Sequence, residues 1–450
     1  MRARRFWYWL GAISFAGLLI RVVYVWHWRR EPTVEIVLRD NDAAYYHQAS
    51  RLLADGRGFL NPFFSAPGHP YQSADHPPAY QLFLAFFAKL GLDGSTEQLL
   101  VTAVFLGTPT IALSGLAGRA LLSEPVGLVA ASLVAVAPNV WSWDGMLLSE
   151  SAAMFAVTLT LWAAYCYFRT PSLRLAVVVG GSVALAAMCR AELVLLLPLV
   201  ALPLVWRHGE TDPKARWRRV SGVAAIAVVI IGPWIAYNLG RFEKRVYLSV
   251  GAEITLASAT CDATYYGSGT GYWNFFCAKA IRDRIRADYP PRYVTVDGQR
   301  REIPQLDQSE EARFFREAAT DYIGDHLGRV PVVVLARWGR VLYLWNPSHV
   351  VTADSAIEGR DRWVARAGWF TFYPLVAFAI AGAIALRQSR VPVYPILAVF
   401  VTVFAAVTLA FGTPRYRASA ETALCLLAAV GLQWSWHLVR PASPAGTPVS

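Results

Sequence analysis

Runs of about twenty mostly apolar residues recur along the whole chain, and each is close to the length a helix needs to cross a bilayer. They fall near residues 6–26, 99–121, 126–141, 147–168 and 173–188, then near 191–206, 220–239, 363–386, 391–411 and 418–438. The pattern predicts about ten spans. Arg190 and Glu192 mark the turn inside the long 173–206 run, and the shorter apolar stretch 80–90 reads as an interfacial or re-entrant helix. Only 16% of the 450 residues are charged and 55% are hydrophobic. A soluble domain carries roughly 25% charged residues, so a soluble fold is excluded. Disorder and coiled coil are excluded as well, because the apolar residues come in runs without a short repeat. The fold class is an all-α polytopic membrane protein.

The 42 basic and 31 acidic residues leave a net charge of +11, which suits either nucleic acid or cytoplasmic loops. Position decides between them. Arg207, Lys214, Arg216, Arg218 and Arg219 crowd one short loop, and 169–174 and 387–390 are basic too. Short basic loops belong on the cytoplasmic side, so nucleic acid loses its support and the bilayer is the partner. Arg2, Arg4 and Arg5 precede an apolar run that ends in Tyr24-Val25-Trp26-His27-Trp28 without a small-residue cleavage site. We read it as an uncleaved first span with a cytoplasmic N-terminus. Ten spans return the C-terminus to the cytoplasm and put 27–98, 141–145, 240–362 and 412–417 outside. The chain then divides into an N-terminal transmembrane module (1–239) with a first outer loop (27–98), an outer region (240–362), and C-terminal transmembrane helices with a short tail (363–450).

Several outer-face residues stand out. Apolar positions from Asp42 through Tyr45, Tyr46, Ala49, Leu52 and Leu53 recur at helical steps, so an amphipathic helix starts at or near Asp42. Asp42 serves there either as a helix cap or as a functional carboxylate. His76-Pro77-Pro78 fixes the chain where it re-enters the membrane. Glu150 lies a turn into an apolar run, where a carboxylate faces either a partner or a wet cavity. Arg190 and Glu192 form a second outward point. Arg415 and Arg417 oppose the positive-inside trend; guanidinium suits phosphate, with lipid headgroups as the plainer contact. Cys166, Cys189 and Cys425 fall in spans, whereas Cys261 and Cys277 share the outer region, where an oxidising compartment permits a disulfide. The aromatic, glycine-rich stretch 265–273 reads as a packed loop or a sugar-stacking surface. Residues 307–327 read as a helix capped by Asp307 and Glu310, with Phe315, Ala319, Ile323 and Leu327 as its packing stripe.

Taken in order, these motifs resemble a known family. Asp42-Ala43-Ala44-Tyr45-Tyr46 with Gly56–Phe59 and His76-Pro77-Pro78 is similar to the first outer loop of bacterial GT-C glycosyltransferases. The group is glycosyltransferase family 39, which holds protein-mannosyltransferase and aminoarabinose-transferase relatives. Ser149-Glu150, Gly232-Pro233-Trp234 with Tyr237-Asn238, and Arg415-Tyr416-Arg417 extend the resemblance. It implies a GT-C-like helix bundle with an outer-face loop subdomain, moving a sugar from a polyprenyl-phosphate donor to an acceptor outside. Asp42 would be the general base, with Asp40 as a substitute in Asp40-Asn41-Asp42. Glu150 would orient the acceptor or help hold a metal. Arg415, Arg417 and Arg190 would bind the donor phosphate, and Tyr45, Tyr46, His76 and Tyr416 would contact substrate. No cofactor is assigned, and a divalent metal is admitted. With no soluble sugar-binding domain after the last span, a lipid or cell-envelope glycan is favoured over a protein acceptor. The rival reading is a transporter or flippase without chemistry, which calls for internal repeats; none is visible.

Overall fold

The computed structural model describes residues 2–30, 41–209, 212–296 and 298–439. Asp40 lies outside the described residues. Five helices among them are long and apolar enough to cross a membrane: Arg4–Arg29, Ser95–Leu121, Glu150–Arg169, Pro213–Leu239 and Arg362–Gln388. The run expected at 126–141 is a bent pair, Glu124–Val136 and Pro138–Gly145, turned by 62°. Pro138 causes the break. Its ring disfavours helical geometry at the preceding residue, and Ala137 is accordingly extended (φ −65°, ψ 120°). Counting the pair as one span gives six. Leu173–Cys189 and Tyr394–Leu409 are shorter apolar helices. The last helix, Pro414–Val439, has 26 residues and carries Arg415, Arg417 and Glu421 in its first turns.

Polar pairing and small residues hold the bundle. Arg21 on the first span donates from Nε to Asp144 Oδ2 at 2.6 Å, with both side chains buried. An unpaired charge at that depth is costly, so the pair fixes the bent segment against the first span. The helices Arg362–Gln388 and Pro414–Val439 cross at glycines. A Cβ on Gly382 would meet Leu427 O at 2.0 Å, and one on Gly431 would meet Phe378 O at 1.9 Å. Such close backbone approach is how membrane helices pack without a hydrophobic driving force between them.

Residues 240–362 hold a small separate core of Ala257, Ala278, Phe315 and Ala319. The helix expected from Asp307 runs Gln308–Asp325 with the reciprocal Asp307–Glu310 cap. Leu327 departs from the expected stripe: it lies past the helix end and is exposed. An antiparallel hairpin, β1 (Arg292–Val296) with β2 (Gln299–Ile303), is an exception to the all-α expectation. Cys261 and Cys277 are bonded sulfur to sulfur. In the 265–273 stretch, Tyr272 is buried against Phe411, and Gly271 (φ +78°) lies against Ala336 and Arg337. Gly412 N donates to Gly271 O at 2.8 Å. The stretch is thus a packed loop that ties the outer region to the turn before Arg415.

Candidate active site

The first-loop helix runs Asp42–Ala54, and its cap is Asn41. The Asn41 Oδ1 accepts from Ala44 N at 3.0 Å, which releases Asp42 from the capping role. Asp42 turns instead to Arg415, whose Nη2 donates to Asp42 Oδ2 at 2.6 Å. The other oxygen, Oδ1, lies 3.6 Å from His76 Nε2. His76 is backed by aromatics: it stacks on Tyr46 at 4.9 Å and meets Tyr45 edge-on at 5.3 Å. Both tyrosines are buried, so they support His76 from behind and line no open space.

Arg415 binds two further carboxylates. Its Nε donates to Glu150 Oε1 at 2.7 Å and its Nη1 to Glu358 Oε2 at 2.9 Å. Glu150, fully buried, also accepts from Arg190 Nη1 at 2.6 Å, and Arg190 Nε reaches Glu192 at 2.6 Å. The Arg190 guanidinium lies over the Tyr416 ring at 5.1 Å. The second Glu150 oxygen, Oε2, is buried without a hydrogen-bond partner. Two arginines thus face four carboxylates, and one planar fork joins the first outer loop, the Glu150 helix and the outer region.

The environment separates the acids. Burial opposes ionisation of Asp42, but the charges of Arg415 and His76 outweigh it and hold the carboxyl below its ordinary range. For Glu358 burial wins despite Arg415, and the neighbouring Asp42, Asp354 and Glu150 push the same way, to about 7. Asp75, behind His76, is raised by burial while accepting from Asn61 and Ser73.

Glu358 escaped sequence reasoning; its only signal is an acid placed just before a span. The fold presents it on a pinned segment. Arg360, fully buried, donates to Asp354 Oδ2 (3.0 Å), Ser142 Oγ (3.0 Å) and Asn139 Oδ1 (2.8 Å). Arg29 donates to Gly359 O (2.7 Å) and Gly145 O (3.0 Å). Arg417, expected at the phosphate, is elsewhere. It donates to Glu421 Oε1 at 2.7 Å and to Val341 O, with its guanidinium 3.8 Å from the Phe372 ring centre. Among the described residues no three His, Cys, Asp or Glu side chains converge as a metal site; a guanidinium lies between the acids.

Residues 75–237 match the family model described as dolichyl-phosphate-mannose-protein mannosyltransferase. That segment holds His76, Glu150 and Arg190. No curated protein is a significant match. The archaeal oligosaccharyltransferase AglB from Archaeoglobus fulgidus, solved with an inhibitory peptide and a dolichol-phosphate, aligns at TM-score 0.56 and 15% identity, over 100% of this chain and 53% of that one. This chain has the GT-C fold. A second structure of the Archaeoglobus fulgidus oligosaccharyltransferase, tethered to an acceptor peptide, gives 0.54 and 14%, over 97% of this chain and 51% of that one. ArnT from Cupriavidus metallidurans aligns at 0.40 and 14%, over 98% and 80%. The GT-C-fold chain described here spans about half the length of the oligosaccharyltransferase structures it matches.

Proposed function

We propose that this GT-C-fold chain is an integral-membrane glycosyltransferase. It takes a sugar from a polyprenyl-phosphate donor and passes it to a cell-envelope lipid or glycan on the outer face of the membrane. The observation that carries the reading is Arg415, held between Asp42, Glu150 and Glu358. The match to dolichyl-phosphate-mannose-protein mannosyltransferases and the dolichol-phosphate bound to AglB support the donor class.

In the resting arrangement Arg415 neutralises Asp42, which makes that carboxylate a weak base. A donor phosphate competes for the same guanidinium in two-point geometry and frees Asp42. The acceptor hydroxyl then gives its proton to Asp42, and its oxygen bonds to the anomeric carbon. The bond from that carbon to the phosphate oxygen breaks, and the electron pair leaves with the phosphate. Arg415, with Arg190 beside Glu150, faces the developing charge. The unpartnered Oε2 of Glu150 orients the acceptor. No step is routed through a metal.

The test is transfer of label from a radiolabelled polyprenyl-phosphate sugar pool to membrane glycans. Asp42→Asn is expected to lower transfer by about 10²–10⁴-fold, the range of a positioned base, with the fold retained. Near-normal transfer by that variant would sink the base assignment. Protection of residues 240–362 from an impermeant thiol reagent, after reduction in intact cells, would overturn the outer-face placement.

A further inference from the structure

Across the first-loop helix from Asp42 lies a concave pocket of about 700 Å³, within the size range of small-ligand sites. Gln48, Arg51, Leu52 and Asp55 form one wall. At helical spacing these residues share a face turned away from Asp42 and Tyr46. The loop from Leu60 to Pro70 forms a second wall, and Arg301 of β2 closes a third side. Arg51 stands about 13 Å along the helix axis from Asp42, nine residues at the helical rise. The pocket is therefore separate from the carboxylate cluster, and loops and a hairpin, not spans, enclose it.

Three arginines line this space: Arg51, Arg57 and Arg301. Arg51 is shared with Asp93 at 3.2 Å, and both are about half exposed. Arg301 gives one Nη1 proton to Ser65 O at 3.2 Å. The Arg57 side chain makes no hydrogen bond or ion pair within the described residues. Among the described residues Asp55 is the one carboxylate of the lining, and Asp93 pairs with Arg51, so three positive charges less two leave a surplus of one. The remaining surface alternates between acceptors, such as Gln48, and the C–H faces of Leu60, Pro62 and Pro67.

That mixture selects a chemistry. Guanidinium forks match a carboxylate or phosphate group. Asp55 and Gln48 can accept from hydroxyls, and the proline and leucine faces suit the C–H face of a pyranose ring. A neutral glycan would leave the Arg57 and Arg301 guanidiniums without an anionic partner. We propose that this pocket binds the acid-bearing part, carboxylate or phosphate, of an extracytoplasmic glycan. Calling that glycan the acceptor rests on the glycosyltransferase reading; the binding itself does not. Contacts so far from the reacting bond lower the acceptor KM and leave kcat unchanged, because they are the same in ground and transition states.

Equilibrium binding to the full-length protein in neutral-lipid nanodiscs tests this, with trigalacturonate, a phosphate-bearing trisaccharide and neutral trimannoside as probes. At least one acid probe is expected to bind, and the two acid arms distinguish carboxylate from phosphate; the neutral probe is expected not to bind. Arg57→Ala removes no bond inside the protein and is expected to weaken acid-probe binding about tenfold, as loss of a charged hydrogen bond does. Arg57→Ala with Arg301→Ala weakens it further, while Asp42→Asn leaves it unchanged. Equal binding by the double variant, or equal binding of trimannoside, overturns the proposal. So does inorganic phosphate that binds as tightly as the acid sugars, or Arg57-dependent binding of anionic vesicles or an acidic peptide with none of the sugars. If the parent protein transfers no sugar while acid probes still bind through Arg57, the enzyme reading falls and the pocket stands.

Discussion

Arg415 and Arg417 lie two residues apart at the start of one helix, yet they meet opposite surroundings. Two residues rotate a helical position by about 200°, so one guanidinium faces the outer-loop acids while the other faces the bundle. Arg415 meets three carboxylates contributed by three separate parts of the chain. Arg417 meets a glutamate one turn along its own helix, a backbone carbonyl and an aromatic face. Arg415 has room to exchange the Asp42 carboxylate for a ligand's anion, because Asp42 is partly exposed. The second is sealed, with Glu421 1% exposed, and it ties the last helix to Val341 and Phe372. A charged residue near a membrane boundary is therefore assigned by what its face meets, not by its place in a motif.

The sharpest way to break that contrast is to change each arginine in turn. Arg415→Lys keeps the charge but loses the planar fork that spans three acids. Transfer is expected to fall by about 10²–10³-fold, the scale of one lost charge-stabilising donor, as measured by label incorporation. Arg417→Ala leaves Glu421 buried and unpaired, which costs about 3–5 kcal/mol. It is expected to lower Tm while transfer per folded molecule is kept. Loss of transfer at unchanged Tm in Arg417→Ala would put Arg417 back at the phosphate.

The same contrast explains what the sequence could disclose. Features set by neighbours along the chain were readable: the apolar runs, the helix after Asp42, and the Asp307–Glu310 cap. Asp42, Glu150, Arg190 and Arg415 stood out because charge is rare in this chain, and the fold brings all four together. Glu358 was not readable, because its place depends on Arg360 and Arg29 pinning residues 354–361 to the distant 138–145 turn. The helical phase that parts Arg415 from Arg417 follows from where Pro414 starts the helix. The arginine-rich pocket was hidden too, since Arg57 and Arg301 are 244 positions apart and meet only through the hairpin.

A smaller effect separates two acids on the same arginine. Glu358 is raised from 4.5 to about 7, so the fold favours its neutral form. The stability it contributes is full below the unfolded value and is lost as pH rises through about 7. Asp42 is lowered, so its contribution is present above the unfolded value and is lost as pH falls. Glu358→Gln mimics the neutral form and is expected to flatten the decline of Tm between pH 4.5 and 7 that is expected of the parent protein. Parallel Tm profiles for the two proteins across that window would show that Arg415 keeps Glu358 ionised throughout.

The smallest expected effect bears on why Asp42 reaches Arg415 at all. A helix N-terminus attracts a carboxylate through its free N–H groups and its dipole, and Asp42 is the acid nearest to hand. Asn41 occupies that role one residue earlier, so Asp42 has no competing use within its helix. Asn41→Ala should cost about 1 kcal/mol for the lost cap. It should also lower transfer, because Asp42 becomes the next side chain able to turn back onto the helix end. Asn41→Ser restores a capping oxygen and should recover both properties together. If Asn41→Ala lowers Tm while transfer stays at the parent level, Arg415 alone is enough to hold Asp42, and the cap matters only for the helix.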